Sequence, residues 1–440
     1  MAVKAIKAGT LIDCTGADPI KDAVVLVDGK KITEVGPAAS VKIPEEAEII
    51  QATGKTVMPG MMDIHIHIGQ FNNRCFKNYR VAQWEVTPQL QQMYMLFQAQ
   101  LCFEMGFTTL RDMGEIGSRG LMTLETCAVR DVINAGCIQG PRIQVAGMTI
   151  MTCSHLDLIL PKAAYRPDPF MTGDGPWELR RQARLAVRQG ADVIKACHSG
   201  GGGTDDEEPD IRNMTYEELD AIVDEAHALN KPCACHCFTP ESQINAVKTG
   251  VDTIEHMVFH SNESLELIKG SGKPMIPTLL HRTDHAIEIR KEVGTAEFVT
   301  EKMKQIQPSC YKTFQKCYDM DIPIAMGTDM GLEPGMGTNA GELEVYVDLG
   351  MSEMDALLTT TRNAANAIGF GKSLGTIEAG KLADLLILDG NPLDDIKVLQ
   401  DREKIQMVMK EGMVYVDRRP GHARKEVILA EPDSWRKVDA

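Results

Sequence analysis

Hydrophobic and polar positions in the first sixty residues fall into short runs closed by turn signals. Residues 3–6, 23–27 (closed by Asp28-Gly29) and 32–35 (closed by Gly36-Pro37) read as strands of a small β unit. The same character returns near the other end. There residues 382–388 are closed by Asp389-Gly390-Asn391-Pro392, and 405–409 run through Glu411-Gly412 into 413–416. Two β-rich ends around a long middle predict one composite β-sandwich domain built from residues 1–59 and 372–440.

From residue 60 to residue 371 the pattern changes to short β-rich runs alternating with longer helical periodicity, which is the signature of parallel βα units. Eight strand candidates can be counted: 61–67, 107–112, 142–147, 192–197, 232–237, 252–256, 274–279 and 323–329. Helical spacing is clearest over 88–105, 121–135, 178–188, 216–229 and 297–318. The fold class is therefore α/β, a (β/α)8 TIM-type barrel; the strand count disfavours the competing doubly wound sheet. The run Gly200-Gly201-Gly202-Gly203 falls in a strand-to-helix loop, with an acidic cluster at Asp205-Asp206-Glu207-Glu208. No Gly-Lys-Ser/Thr follows and the acids would repel a phosphate, so a flexible, solvated loop is the favoured reading.

Composition narrows the function classes. The 440 residues carry 46 Lys+Arg against 62 Asp+Glu, a net charge of −16, and 43% are hydrophobic. That apolar fraction gives a large core and excludes disorder. The acidic balance offers no basic stripe for a nucleic acid. No stretch approaches the roughly 18 apolar residues of a membrane span, and the opening residues lack an apolar run with a cleavage site, so no membrane partner and a cytoplasmic location are expected. The 12 cysteines are scattered along the chain, which fits reduced thiols.

The sharpest chemical feature is Asp63-Ile64-His65-Ile66-His67 at the end of the first barrel strand. Residues two apart on a strand share a face, so both imidazoles can enter one site. Two satisfied core histidines would explain the pair equally well. Other ligand types also fall at predicted strand ends, however: Lys195, His236, His256 and Asp329. In a barrel those ends converge on one mouth, and independent core histidines have no reason to choose one rim. Together the residues supply enough donors for two divalent ions about 3.5–4 Å apart. Lys195 cannot ligate a metal as an ammonium and is costly on an inner strand without a task. It reads as a Schiff-base nucleophile, a salt-bridged structural lysine, or a lysine carboxylated by carbon dioxide. Beside these neighbours the carbamate is favoured.

Met58-Pro59-Gly60-Met61-Met62-Asp63-Ile64-His65-Ile66-His67 resembles the opening metal motif of the amidohydrolase superfamily, and residues 375–386, from Gly375 to Leu386, resemble its closing signature. The order His-x-His, Lys, His, His, Asp is similar to that of the binuclear subtype with a carboxylated lysine. The resemblance implies that Lys195 bridges two metals, most readily zinc, with His65, His67 and Asp329 on one and His236 and His256 on the other. It also implies a homo-oligomer. Together with Asn363-Ala364-Ala365-Asn366-Ala367-Ile368-Gly369, the spacing resembles the branch of Xaa-Pro dipeptidases, imidazolonepropionase-like proteins, ochratoxin amidohydrolases and hydrolases of carbamates and phenylureas. Two segments depart from the dipeptidase pattern. Leu332-Glu333-Pro334-Gly335-Met336-Gly337 lacks a histidine after its proline, and Ala196-Cys197-His198-Ser199-Gly200 carries an extra His198. Both argue against ordinary dipeptide specificity.

This constellation predicts hydrolysis of an amide-type C–N bond in a small-molecule substrate: an N-acyl amino acid, dipeptide, aryl amide, carbamate or phenylurea. Two cations would make a bridging hydroxide available near neutral pH and polarise the carbonyl. Asp329 would serve as general base, returning its proton to the departing nitrogen. A mononuclear deaminase of the same superfamily, needing no carbamate, and a non-catalytic zinc-bound scaffold are the alternatives.

The remaining candidates are weaker. His155 and His198 lie in loops after the third and fourth strands, where they could touch substrate or simply be solvated; Tyr165, His260 and His281 are further substrate-contact candidates. Phe71, Phe76 and Tyr79 suggest an apolar part to the substrate. Cys233, Cys235 and Cys237 alternate away from His236 and read as packing residues, and the Met-rich runs at Met93-Tyr94-Met95 and 148–151 as core filler, a few lining a substrate pocket.

Overall fold

The structure, a computed structural model, describes residues 3–69, 86–114, 125–158, 172–203, 206–292, 294–331 and 335–428. The chain ends meet in one sheet. Strands β1 (Lys4–Leu11), β2 (Ile20–Asp28), β3 (Lys31–Pro37) and β4 (Glu48–Pro59) come from the N-terminal end. Strands β12 (Leu385–Leu388), β13 (Ile405–Lys410) and β14 (Met413–Asp417) come from the other, and the order is β14-β13-β12-β4-β1-β2-β3. The middle of β2 is a continuous apolar run because both of its faces are covered. Val25 and Val27 face a core shared with Ile6, Val57, Ile387 and Met407, while Val24 and Leu26 pack with Ala5 and Val41 on the other side.

The expected composite β domain is present, its seven strands joined in one sheet with apolar packing on both faces. Its β3 edge returns to the chain before β12 through a bridge from Lys31 to Leu382 and through Ile32 N donating to Lys381 O at 2.9 Å. Strand β4 escaped the sequence pattern because Gly54, at φ 74°, interrupts it. In the fold that glycine sits at the register shift between Ala8 and Thr10, where a Cβ on Gly9 would stand 2.5 Å from Gly54 N.

Only Gly60 separates β4 from the first barrel strand. The barrel strands are β5 (Met61–Ile66), β6 (Phe107–Asp112), β7 (Arg142–Met148), β8 (Val193–Cys197), β9 (Cys233–Cys237), β10 (Thr253–His256) and β11 (Met275–Ile276), all parallel and paired in sequence order. The eighth predicted strand makes bridges rather than a ladder. Ile324 pairs with Met275 and Met330 with Ile66, which closes the ring. The ladder is lost because other groups take the backbone there. Thr328 N donates to Asp63 Oδ1 at 3.2 Å, and Asp329 N turns back to His65 O at 2.7 Å, with Asp329 at φ 57°. Strand β11 is cut short for a similar reason: Thr278 has φ 53°, and Leu279 N donates to the Glu342 carboxylate at 2.7 Å.

The outer helices start from caps on the strand-end side. Thr215 with Glu218, Thr239 with Ser242 and Ser261 with Ser264 form reciprocal caps on the helices Tyr216–Ala228, Pro240–Thr249 and Asn262–Ser271. Each such cap contributes about 1 kcal/mol and fixes where its βα loop ends. Among the described residues, no helix is long and apolar enough to cross a membrane. The small sheet is bolted to the barrel by Arg142, whose guanidinium reaches Asp384 at 3.0 Å and Glu411 at 2.9 Å.

One contact ties barrel closure to the first histidine. A Cβ on Gly327 would stand 2.5 Å from His65 Cβ and 2.6 Å from Ile276 Cγ2. Gly327→Ala is expected to destabilise the protein by about 1–3 kcal/mol, as overpacking does, and to weaken metal retention by moving His65. Denaturant unfolding with metal analysis on the same samples checks both; a variant with unchanged metal retention would uncouple the two.

Candidate metal centre

The strand ends bring His65, His67, Lys195, His236, His256 and Asp329 to one cavity of about 150 Å³. Within it His65, His67 and Asp329 present donor atoms that all lie within 4.8 Å of one another. Asp329 Oδ1 is 3.1 Å from His67 Nε2 and 3.5 Å from His65 Nε2. The ring of His256 stands 4.6 Å from those of both His65 and His236. Lys195 Nζ lies 3.5 Å from His65 Nε2. The backbone is in the left-handed region at His256 (φ 72°) and Asp329 (φ 57°), conformations that non-glycine residues hold at a cost and that cluster at functional sites.

Each histidine commits one ring nitrogen to the protein. His65 Nδ1 donates to Glu255 Oε2 at 2.6 Å, and His67 Nδ1 to Gly114 O at 2.6 Å. His256 Nδ1 is hydrogen-bonded with Thr278 Oγ1 at 2.8 Å, while His236 Nε2 donates to Gly200 O at 2.9 Å. The second nitrogen of every ring is left for the centre, which is how metal-binding imidazoles are oriented and tuned. A set of imidazole and carboxylate donors arranged this way fits a divalent transition metal.

Charges around the rings are strongly displaced. Burial holds the His65 ring down to about 4, with the Lys195 charge in the same direction. Burial also holds His236 and His256 well below the usual imidazole range. For His67 burial is outweighed by the hydrogen bond and charge of Asp329, which raise it. Burial alone would raise Asp329, but His256, His281, His67 and His65 bring it well below the carboxylate range. The site therefore presents neutral imidazoles at His65, His236 and His256 and an ionised carboxylate at Asp329, the protonation states that ligation requires, while Asp329 favours the charged form of His67 until a cation takes its place.

Of the weaker candidates, His155 and His281 line the cavity. His281 Nε2 stands 3.5 Å from Asp329 Oδ2, and His155 stacks on His236 with centroids 4.8 Å apart. His198 and His260 do not reach it. Lys195 and Cys197 both line the cavity, so strand alternation turns His198 the other way, where its Nε2 meets Asn245 Nδ2 at 3.0 Å. After the turn at His256 and Met257 the chain carries His260 to the helix Glu297–Asp319, where its Nδ1 meets Thr313 Oγ1 at 2.7 Å. Tyr165, Phe71, Phe76, Tyr79 and residues 332–334 lie outside the described residues.

The acidic loop differs from its expected solvated state. Glu207 is fully buried, accepting from His155 Nδ1 at 2.7 Å and Gly201 N at 2.6 Å, while Asp206 and Glu208 remain exposed. Met95 is buried as expected of core filler, but Met93 is 66% exposed. Met113, Met148 and Met303 line the cavity.

Several functional partners were not singled out from the sequence. Glu255 also pairs with Arg111 at 3.0 Å, and Arg111 Nε donates to Ile64 O at 2.6 Å, clamping strand β5 from behind. Asp63 collects His65 N, Thr328 N, Thr328 Oγ1 and Asn339 Nδ2; burial pushes its carboxyl up to about 6 against those hydrogen bonds. Arg282 enters the cavity from the turn after β11. The one available signal was a charged residue inside an apolar strand, at Arg111 and Glu255.

A parallel barrel carrying histidines, a buried lysine and an aspartate on one rim defines a hydrolase of the metal-site type. Residues 56–414 match the amidohydrolase family, and the chain belongs to it. An ochratoxinase of Aspergillus niger is 30% identical over 437 residues, spanning 94% of this chain and 86% of the relative. The crystal structure of a Xaa-Pro dipeptidase with methionine in its active site is similar at TM-score 0.85 and 32% identity, covering 94% of this chain and 100% of that one. Phenylurea hydrolase B, at TM-score 0.76 and 24% identity over 95% of this chain and 97% of its own, shares the fold. These relatives are in the branch that the motifs resemble. The protein is a hydrolytic enzyme acting on C–N bonds.

Proposed function

We propose that the protein hydrolyses an amide-type bond of a small molecule at a binuclear centre held by His65, His67, Lys195, His236, His256 and Asp329, with Lys195 carboxylated by carbon dioxide. The observation that carries this reading is Lys195 itself. It is buried among imidazoles, with no carboxylate in ion-pair reach among the described residues. A bare ammonium is poorly placed there, whereas a carbamate, formed when the neutral amine adds to carbon dioxide and releases a proton, supplies two oxygens toward the ligand cluster. Bound divalent ions, zinc by the donor set, would supply an activated water and polarise the scissile carbonyl.

The chain's own groups do the rest. Asp329 stands against His67 and His281, placed to hold the proton released as the C–O bond forms and to deliver it to the departing nitrogen. Glu255, Gly114, Thr278 and Gly200 hold the four rings in register while this happens. Phe238 stacks on His236 at 4.2 Å, and with Leu156, Val299, Met303 and Ile306 it gives the cavity an apolar wall against water.

The test is metal content per chain for wild type and Lys195→Ala, expressed with zinc and bicarbonate. About two metals in the wild type, falling to about one or fewer in the variant with loss of amide hydrolysis, is the expected result. A single metal in both proteins would remove the bridging role of Lys195 and put the mononuclear deaminase first.

A further inference from the structure

Arg282 is a buried cation that the reaction described above does not use. It lines the metal-site cavity and is 2% exposed. Its Nε donates to His281 Nε2 at 3.1 Å and its NH1 to Cys310 Sγ at 2.9 Å, while its guanidinium carbon stands 4.9 Å from the centre of the Phe238 ring. No carboxylate among the described residues pairs with it, and its NH2 makes no hydrogen bond to them. A guanidinium withdrawn from water onto a neutral imidazole, a thiol and a ring face lacks the anion that normally accompanies a buried charge. Arg290 lines the same cavity, whose one carboxylate among the described lining residues is Asp329.

Placement makes the missing anion a part of the substrate. His281 Nε2 meets Arg282 Nε at 3.1 Å and stands 3.5 Å from Asp329 Oδ2, so a single ring nitrogen separates the guanidinium from the proposed general base. We infer that Arg282 forms a carboxylate subsite, and that the substrate is an N-acyl amino acid whose carboxylate sits on the carbon next to the scissile nitrogen and whose apolar side chain packs on Leu156, Val299, Met303 and Ile306. The inference rests on the proposed amide hydrolysis and selects within it: acidic amides are substrates, whereas neutral carbamates and phenylureas leave Arg282 without its partner. The planar fork of arginine suits a carboxylate held by two parallel hydrogen bonds, a geometry that lysine cannot copy.

The test compares N-acetyl-L-phenylalanine with its decarboxylated analogue N-acetyl-2-phenylethylamine on wild type, Arg282→Gln and Arg282→Lys, with thermal melts and metal content confirming that each variant is folded and loaded. Calorimetric binding of N-acetyl-L-phenylalanine gives a readout that needs no turnover. In wild type, kcat/KM is expected to favour the acid by about 100-fold; that preference collapses in Arg282→Gln and returns in part in Arg282→Lys. A wild-type preference near one, or one kept in Arg282→Gln, overturns the subsite and leaves the hydrolase standing. Binding that weakens about 100-fold in Arg282→Gln without any turnover in wild type keeps the subsite and sinks amide hydrolysis. With neither turnover nor Arg282-dependent binding, the subsite is overturned as well.

Discussion

Asp329→Asn lowers turnover by between about 100- and 10,000-fold while KM stays within about tenfold, the pattern of a group whose work is done in the transition state. The substitution keeps size and one oxygen, so the contact of Oδ1 with His67 at 3.1 Å and the backbone turn at φ 57° can persist. Asparagine cannot take up a proton, so both the attack of water and the protonation of the leaving nitrogen lose their carrier. Steady-state kinetics on metal-analysed samples make the check. A variant that loses its metals and its substrate affinity together would instead cast Asp329 as a ligand alone, and full activity would remove it from the reaction.

Glu255→Ala is expected to cost about 3–5 kcal/mol of stability, because it strands a fully buried guanidinium. One carboxylate oxygen meets Arg111 at 3.0 Å and the other meets His65 Nδ1 at 2.6 Å, with Glu255 and Arg111 both sealed from solvent. Burial by itself would raise this carboxyl, but Arg111, His65 and Lys195 bring it down to about 2, so it is ionised across the neutral range. A second effect follows at the metal: without its orienting carboxylate, His65 loses a fixed ring position, and metal affinity falls about 10- to 100-fold. The double variant Glu255→Leu, Arg111→Met separates the two. It should recover much of the stability, measured by denaturant unfolding, and none of the metal affinity, measured by chelator competition. Recovery of both would show that Glu255 serves packing only.

What the sequence made legible, and what it hid, divides along a physical line. Periodicity found seven barrel strands because their buried faces impose an apolar run, and the position of His65, His67, Lys195, His236, His256 and Asp329 at run ends was enough to bring them to one rim. The eighth strand makes no ladder because its backbone donors are divided among Met275, Thr359, His65 and the Asp63 side chain, and no pattern along residues 323–329 records that. Lys195 and His198 are three positions apart, an odd step on an extended chain, so they turn to opposite sides and only the lysine enters the cavity. Partners remote in sequence were hidden altogether: Arg111 meets Glu255 across 144 positions, and Glu207 reaches back to His155 across 52. Such pairings are set by the closure of the ring, which local sequence does not encode.

The position of β4 has a consequence for the order in which the protein can be made. One edge of β4 pairs with β1, but the other pairs with β12, Thr56 opposite Leu388 and Val57 opposite Ile387. On the ribosome, more than three hundred residues must emerge before that second edge finds its partner. Until then Val57 and Met58 lie on an open strand edge, the kind of surface that recruits other chains. The barrel that follows from Gly60 is tied to this unfinished sheet, so strands synthesised after the barrel complete a sheet begun before it. Premature termination before Leu385 is accordingly expected to leave an aggregation-prone nascent chain rather than a smaller working enzyme, and the non-local pairing makes folding slow for a protein of this size.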